Sequence, residues 1–126
     1  MNGFLLIDKP KGVTSANCVY QLRKFLGIKK IGHCGTLDPL ATGLLPVCIG
    51  EATKFSSFMS DLDKTYEVDI SFGLETDTGD IEGEIISKSI NNFSEIFLLE
   101  DTSITLVEPP SSKENAKRFI FNFKKF

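Results

Sequence analysis

The chain reads as an α+β domain built on a mixed, mostly antiparallel sheet with flanking helices. Three stretches predict it. In "YEVDISF", Tyr66, Val68, Ile70 and Phe72 alternate with Glu67, Asp69 and Ser71, the period of a half-buried strand. "GFLLID", Gly3 to Asp8, is a short apolar run closed by the turn-forming "KPKG". Between such strands, "TSANCVYQLRKFLG" repeats Val19, Leu22, Phe25 and Leu26 at helical spacing. Strands and helices mix along the chain, as an α+β layer arrangement requires.

Each element follows from local chemistry. Thr14 or Ser15 supplies the hydroxyl that caps the first helix, and Gly27 falls where a left-handed residue ends it. "LLPVCIG" reads as a buried strand, with Pro46 demoting it to an edge or bulged position because proline lacks a ladder donor. "EATKFSSFM" reads as a short helix with Glu51 in its first turn, where the helix dipole favours an anion. "GLETDTGDIEG" is a glycine-punctuated connection, after which "EIISKS" returns as the antiparallel partner of "YEVDISF". The last forty residues, including Pro109-Pro110, show no sustained period and no clear element. No internal repeat is present.

A chain of 126 residues, 41% apolar and 25% charged, has the profile of one soluble globular domain. No apolar run approaches the roughly 20 residues of a membrane span, so no membrane association is expected. "MNGFLLIDKPKG" lacks a basic n-region and a cleavable apolar core, which argues against a signal peptide. Cys18, Cys34 and Cys48 form no CxxC pair, as expected of reduced thiols in a cytoplasmic protein. The net charge of −3 conceals an asymmetry. Residues 1–60 carry seven Lys/Arg against three Asp/Glu, a balance of +4, whereas residues 61–106 carry two against twelve, a balance of −10. A basic front half facing phosphates and a merely solvated basic face are both consistent with this.

"IGHCGTLDPLATGLLPVCIGEATKF" holds the only histidine, two of the cysteines and one carboxylate, Asp38, among small residues. A Walker-type phosphate loop needs a lysine and a hydroxyl after the glycines, and "GTLDPLATG" has neither in place. A glycosidase needs two facing carboxylates; Asp38 has no partner nearby in sequence, which leaves Asp8 or Glu51 to approach it in space. One histidine with thiols fourteen and sixteen residues apart does not suggest a metal site. His33 and Cys34 are adjacent, so on an extended segment they point to opposite faces, a poor proton relay. What remains is Asp38 as a lone nucleophile or base, on a loop stiffened by Pro39 and opened by Gly35 and Gly43. The competing reading is an Asp-Pro turn cap.

The stretch resembles the signature of the TruB family of tRNA pseudouridine synthases, a Gly-His-x-Gly-x-Leu-Asp-Pro-x-Ala-x-Gly run. "GFLLIDKPKGVTS" is similar to that family's opening motif, "LPVCIGEATKF" continues the signature, and "DKTYEV" and "GLETDTGDIEG" resemble its following strand and loop. The resemblance implies an incomplete pseudouridine synthase-like fold, with residues 1–87 as the N-terminal part of the catalytic domain. It implies isomerisation of a T-loop uridine in tRNA, with the T-arm stem-loop as partner and no protein partner. Asp38 would be catalytic, while His33 and Tyr66 would bind the substrate, the base being flipped out of its stack. Lys9, Lys11, Arg23, Lys29 and Lys30 would be candidates for contact with the RNA backbone. No cofactor or metal is implied, because the isomerisation is redox-neutral.

Residues 88–126 do not match the family's pattern and are expected to be a tail, truncated or frame-shifted. The family's later half would supply an arginine that pairs with the aspartate; the only arginines here are Arg23 and Arg118. An alternative to an active synthase is therefore a catalytically inactive remnant, or RNA-binding fragment, of the same ancestry. An unrelated binding module is a third reading.

Overall fold

The computed structural model describes residues 1–71, 73–88, 102–107 and 116–123, in two compact units, Met1–Leu62 and Asp63–Phe126. Every strand ladder among these residues is antiparallel.

The first unit is a three-stranded sheet carrying one long helix. Strand β1 (Gly3–Lys9) leads into helix α1 (Ser15–Leu26), then β2 (Ile31–His33) and β3 (Gly43–Ile49). The strand order is β1-β3-β2, so β3 is central. Thr14 caps α1, its hydroxyl accepting the Asn17 N–H. Gly27 ends the helix in the left-handed conformation at φ 67°, its N–H donating to the Arg23 carbonyl. The alternation of β3 divides its side chains between two clusters. Leu45, Val47 and Ile49 pack with Ile31 and with Val19 of α1, while Ile7, Cys18, Leu22, Leu26, Ile28 and Leu37 close around them. Cys48, on the other face, packs with Cys34, Ala52 and Met59. Burial of each fully covered aliphatic side chain contributes roughly 1.5–3 kcal/mol. A 3₁₀ helix (Gly50–Phe55) and a short α2 (Ser56–Ser60) complete the unit, so "EATKFSSFM" is helical but begins in the tighter form.

Pro46 corrects the expectation of an edge or bulged strand. It sits in the central strand, opposite Leu6 in a continuous β1–β3 register. The Cys34 N–H donates to the Pro46 carbonyl at 2.8 Å, one residue beyond the β2 ladder. A complete antiparallel pair would return a bond from residue 46 to Cys34, and proline has no N–H to give. The missing donor therefore falls where the chain leaves the sheet, and that departure begins the Asp38 loop.

In the second unit, β4 (Lys64–Ser71) covers the alternating "YEVDIS" segment as expected. Its partner is β8 (Ala116–Phe123), which also pairs with β7 (Thr102–Val107). "EIISKS" was expected to return against β4; instead β6 (Ile85–Lys88) pairs with β5 (Leu74–Thr76) as a separate ladder. The acidic turn between β5 and β6 is internally bonded. The Asp80 carboxylate accepts from the Thr78 hydroxyl and the Glu82 N–H, which holds it below the usual carboxylate range. Phe72, the fourth residue of the expected alternation, and Pro109-Pro110 lie outside the described residues. No helix among the described residues is long and apolar enough to cross a membrane.

Candidate active site

Asp38 lies on the loop between β2 and β3, with its side chain exposed. The backbone on both sides of it is fixed. Before it, the buried Ser15 hydroxyl donates to the Leu37 carbonyl at 3.1 Å and accepts the Leu37 N–H at 2.9 Å. After it, the Pro39 carbonyl accepts the Gly12 N–H at 2.7 Å and Lys9 Nζ at 3.3 Å, filling both of its lone pairs. The Ala41 N–H donates to the Asp38 carbonyl at 3.0 Å, closing a turn with Pro39 at its second position, where a fixed φ is favourable. An exposed carboxylate thus projects from a segment with little backbone freedom, an arrangement suited to a reacting group.

Lys9 is a correction. Its side chain is 0% exposed, so it does not offer its charge to an RNA phosphate. Its three donors are taken by the carbonyls of Pro10 at 3.0 Å, Val13 at 2.6 Å and Pro39 at 3.3 Å. Burying an ammonium is costly unless its donors are satisfied, and here all three are. Lys9 is a strut that ties the end of β1 to the Asp38 loop. Sequence reasoning missed this role, and it also left open that Ser15, freed from capping by Thr14, anchors Leu37. The only sequence-level signal for either was their place in the opening motif.

His33 ends β2 and is half-buried. Its Nδ1 is 2.6 Å from the Gly35 carbonyl, an atom that only accepts, so Nδ1 carries the hydrogen and Nε2 is the ring's other nitrogen for a ligand. Gly35 reaches this carbonyl position at φ 103°, which a side chain would strain. Beneath the loop, burial and the neighbouring Cys48 push the Cys34 thiol up to about 12. That removes it as a nucleophile at neutral pH.

The remaining basic candidates differ in what they hold. Lys11 and Lys29 are exposed. Arg23 is exposed, but its Nη2 donates to the Ile31 carbonyl at 2.6 Å, bracing α1 against β2. Lys30 pairs with Glu51 at 2.6 Å, and Glu51 also takes Lys54 at 2.5 Å. Those two ammonium groups hold the Glu51 carboxyl below its ordinary value. Tyr66 is in the second unit, near the start of β4 and opposite Phe121, with 37% of its surface exposed. No hydrogen bond or ion pair to the Asp38 carboxylate is found among the described residues, and Arg23 is engaged elsewhere. Arg118 lies in β8, opposite Asp69 in β4 and Val107 in β7.

The fold and this loop define a class: a small antiparallel α+β protein that presents one carboxylate from a clamped turn. Residues 23–103 match the model of the TruB family pseudouridylate synthase N-terminal domain, and the chain belongs to that family. It is 56% identical over 88 residues to tRNA pseudouridine synthase B of Chromobacterium violaceum. It is 51% identical over 87 residues to the protein of that name from Geobacillus thermodenitrificans. These matches take in 70% and 69% of this chain but 29% of each relative, so the chain spans about three-tenths of their length. Among solved structures, a chain of the archaeal box H/ACA sRNP Nop10–Cbf5 complex matches over 98% of this chain and 38% of its own, with a TM-score of 0.67 and 26% identity. A chain of an H/ACA RNP bound to a substrate RNA containing 2'-deoxyuridine matches over 95% and 37%, with a TM-score of 0.66 and 27% identity.

Proposed function

We propose that this chain is the N-terminal part of a tRNA pseudouridine synthase that isomerises a T-loop uridine, with Asp38 as the reacting carboxylate. The observation that carries this reading is the double clamp on the Asp38 backbone, at Leu37 and at Pro39, inside the family's signature. The reaction breaks the bond from the uracil nitrogen to the ribose and forms one from a ring carbon. That carbon's hydrogen leaves to solvent and the freed nitrogen gains a proton, so no redox partner is required. In this reading Asp38 acts as nucleophile or base toward the base or sugar. The resemblance assigns Tyr66 to the flipped base, His33 to holding the loop in which that base is flipped, and, with the buried Lys9 set aside, Lys11, Arg23, Lys29 and Lys30 to the RNA backbone. A cytoplasmic setting suits thiols kept reduced.

A second reading, an RNA-binding piece without turnover, is favoured by one observation. No ion pair to the Asp38 carboxylate is found among the described residues. The two separate on a T-arm hairpin carrying uridine tritiated at the carbon that forms the new bond. Tritium release by residues 1–126, lost in Asp38→Asn, supports the synthase. Hairpin binding with no release supports the fragment, and neither binding nor release defeats both.

A further inference from the structure

We propose that Ser15 is the positioning residue for Asp38, a role that rests on Asp38 being the group that reacts. Ser15 is the first residue of α1 and 1% exposed, yet the helix does not use it as a cap, because Thr14 does that. Its hydroxyl instead reaches 22 residues along the chain and closes both backbone polar groups of Leu37. A hydroxyl can do this from a single atom because it donates and accepts at once. Leu37 is held a second time by its own side chain, which packs against the Val19–Leu45–Val47 core. The residue immediately before Asp38 therefore cannot rotate its peptide groups without losing two hydrogen bonds to a buried hydroxyl. On the far side, the pyrrolidine ring of Pro39 fixes φ and its carbonyl is doubly bonded. Asp38 is left with its side-chain torsions as its main freedom. A misplacement of about 1 Å at a reacting group costs on the order of 10²-fold in rate, which sets the value of such a clamp.

The test uses the 126-residue chain and compares Ser15 with Ser15→Ala, which is close in size and lacks the hydroxyl. Ser15→Cys, near-isosteric with a weak donor, is the second variant if alanine compromises folding. The expected result is local. The Asp38 amide order parameter falls from the rigid range near 0.85 to below about 0.6. The Leu37 amide exchanges about tenfold faster or more, the loss of one hydrogen bond. Val47 and Ile49 in β3 stay within about twofold. An unchanged order parameter at Asp38 overturns the proposal, as does a loosening spread evenly through β3. On the tritiated hairpin, Ser15→Ala is expected to lower kcat with KM unchanged; a change in KM alone also overturns it. Wild-type chain without turnover would favour the fragment reading over the synthase, and the order measurement would then decide the Ser15 clamp by itself.

Discussion

The Nζ of Lys9 lies 3.3 Å from the carbonyl oxygen of Pro39, thirty residues away, with no surface of its own exposed to water. A residue type that almost always points into solvent is here the internal tie between the first strand and the loop that presents Asp38.

Replacing Lys9 by methionine keeps the apolar stem and removes all three donors. The carbonyls of Pro10, Val13 and Pro39 then lose a charged partner, and among the described residues Pro39 keeps a second bond, from Gly12. The expected loss is about 1–3 kcal/mol, the scale of hydrogen bonds to a charged group at carbonyls that are only partly buried. Chemical denaturation of the chain measures it as a lower midpoint. The salt dependence of any RNA binding should be unaffected, because a lysine hidden from solvent releases no counterion. A shallower salt slope in Lys9→Met would show that its charge reaches the RNA.

Asp38→Asn should leave folding untouched, since the side chain is exposed and the clamps around it are backbone and Ser15 contacts. Asparagine preserves shape but is neither a base nor a competent nucleophile. Isomerisation is expected to fall by about 10²–10⁴-fold or more, the usual size of a lost acid–base group. RNA affinity should stay close to wild type. The paired measurement is tritium release beside hairpin binding, and a mutant with a substantial rate would remove Asp38 from the chemistry.

The three cysteines should differ in reactivity. Cys34 and Cys48 are buried, and Cys34 is pushed up to about 12 by burial and by its neighbour Cys48, whereas Cys18 is only half-buried. The thiolate is the reactive form, so a thiol reagent at neutral pH should label Cys18 first and the other two only on unfolding. A folded value above the unfolded one leaves stability intact below about 9 and erodes it as pH rises toward 12. Cys34→Ala should flatten that alkaline loss. Rapid labelling of Cys34 in the folded chain would show that this cluster opens.

What the sequence revealed and what it hid divide along physical lines. The first helix was legible because its period, its cap and its terminal glycine are all local signals. The Asp38 loop was legible because a long signature surrounds it. Lys9 was misread because exposure is the rule for an unpaired charge, and its three carbonyl partners come together only in the folded chain. Pro46 was misread because a missing donor disqualifies a central strand only where a neighbour needs that donor, and here the neighbouring strand ends. The β4 partner was misread because "EIISKS" is the nearest candidate in sequence. The actual partner, Ala116–Phe123, lies some fifty residues on, in a stretch without a clean alternation.

The basic face of the first unit should prove tunable through Glu51. Its carboxylate holds Lys30 at 2.6 Å and Lys54 at 2.5 Å, so these two charges are partly neutralised, while Lys29 is exposed nearby in sequence. Each phosphate contact contributes about 0.7 to the logarithmic salt slope on a single strand and about 0.9 on a duplex. Lys29→Ala is therefore expected to flatten the slope by about one such contact, and Lys30→Ala by less, because Glu51 already competes for it. Glu51→Gln should release both lysines, raising affinity for a T-arm hairpin and steepening the slope. The pairing also has a pH signature. Lys30 and Lys54 lower the Glu51 value from 4.5, so the contacts persist through neutral and mildly acidic pH and are lost only as pH falls through that lowered value. Affinity measured at several salt concentrations, near neutrality and then in acid, separates these outcomes. Equal slopes for wild type, Lys29→Ala and Glu51→Gln would mean that this face is solvated surface and that the RNA is held elsewhere.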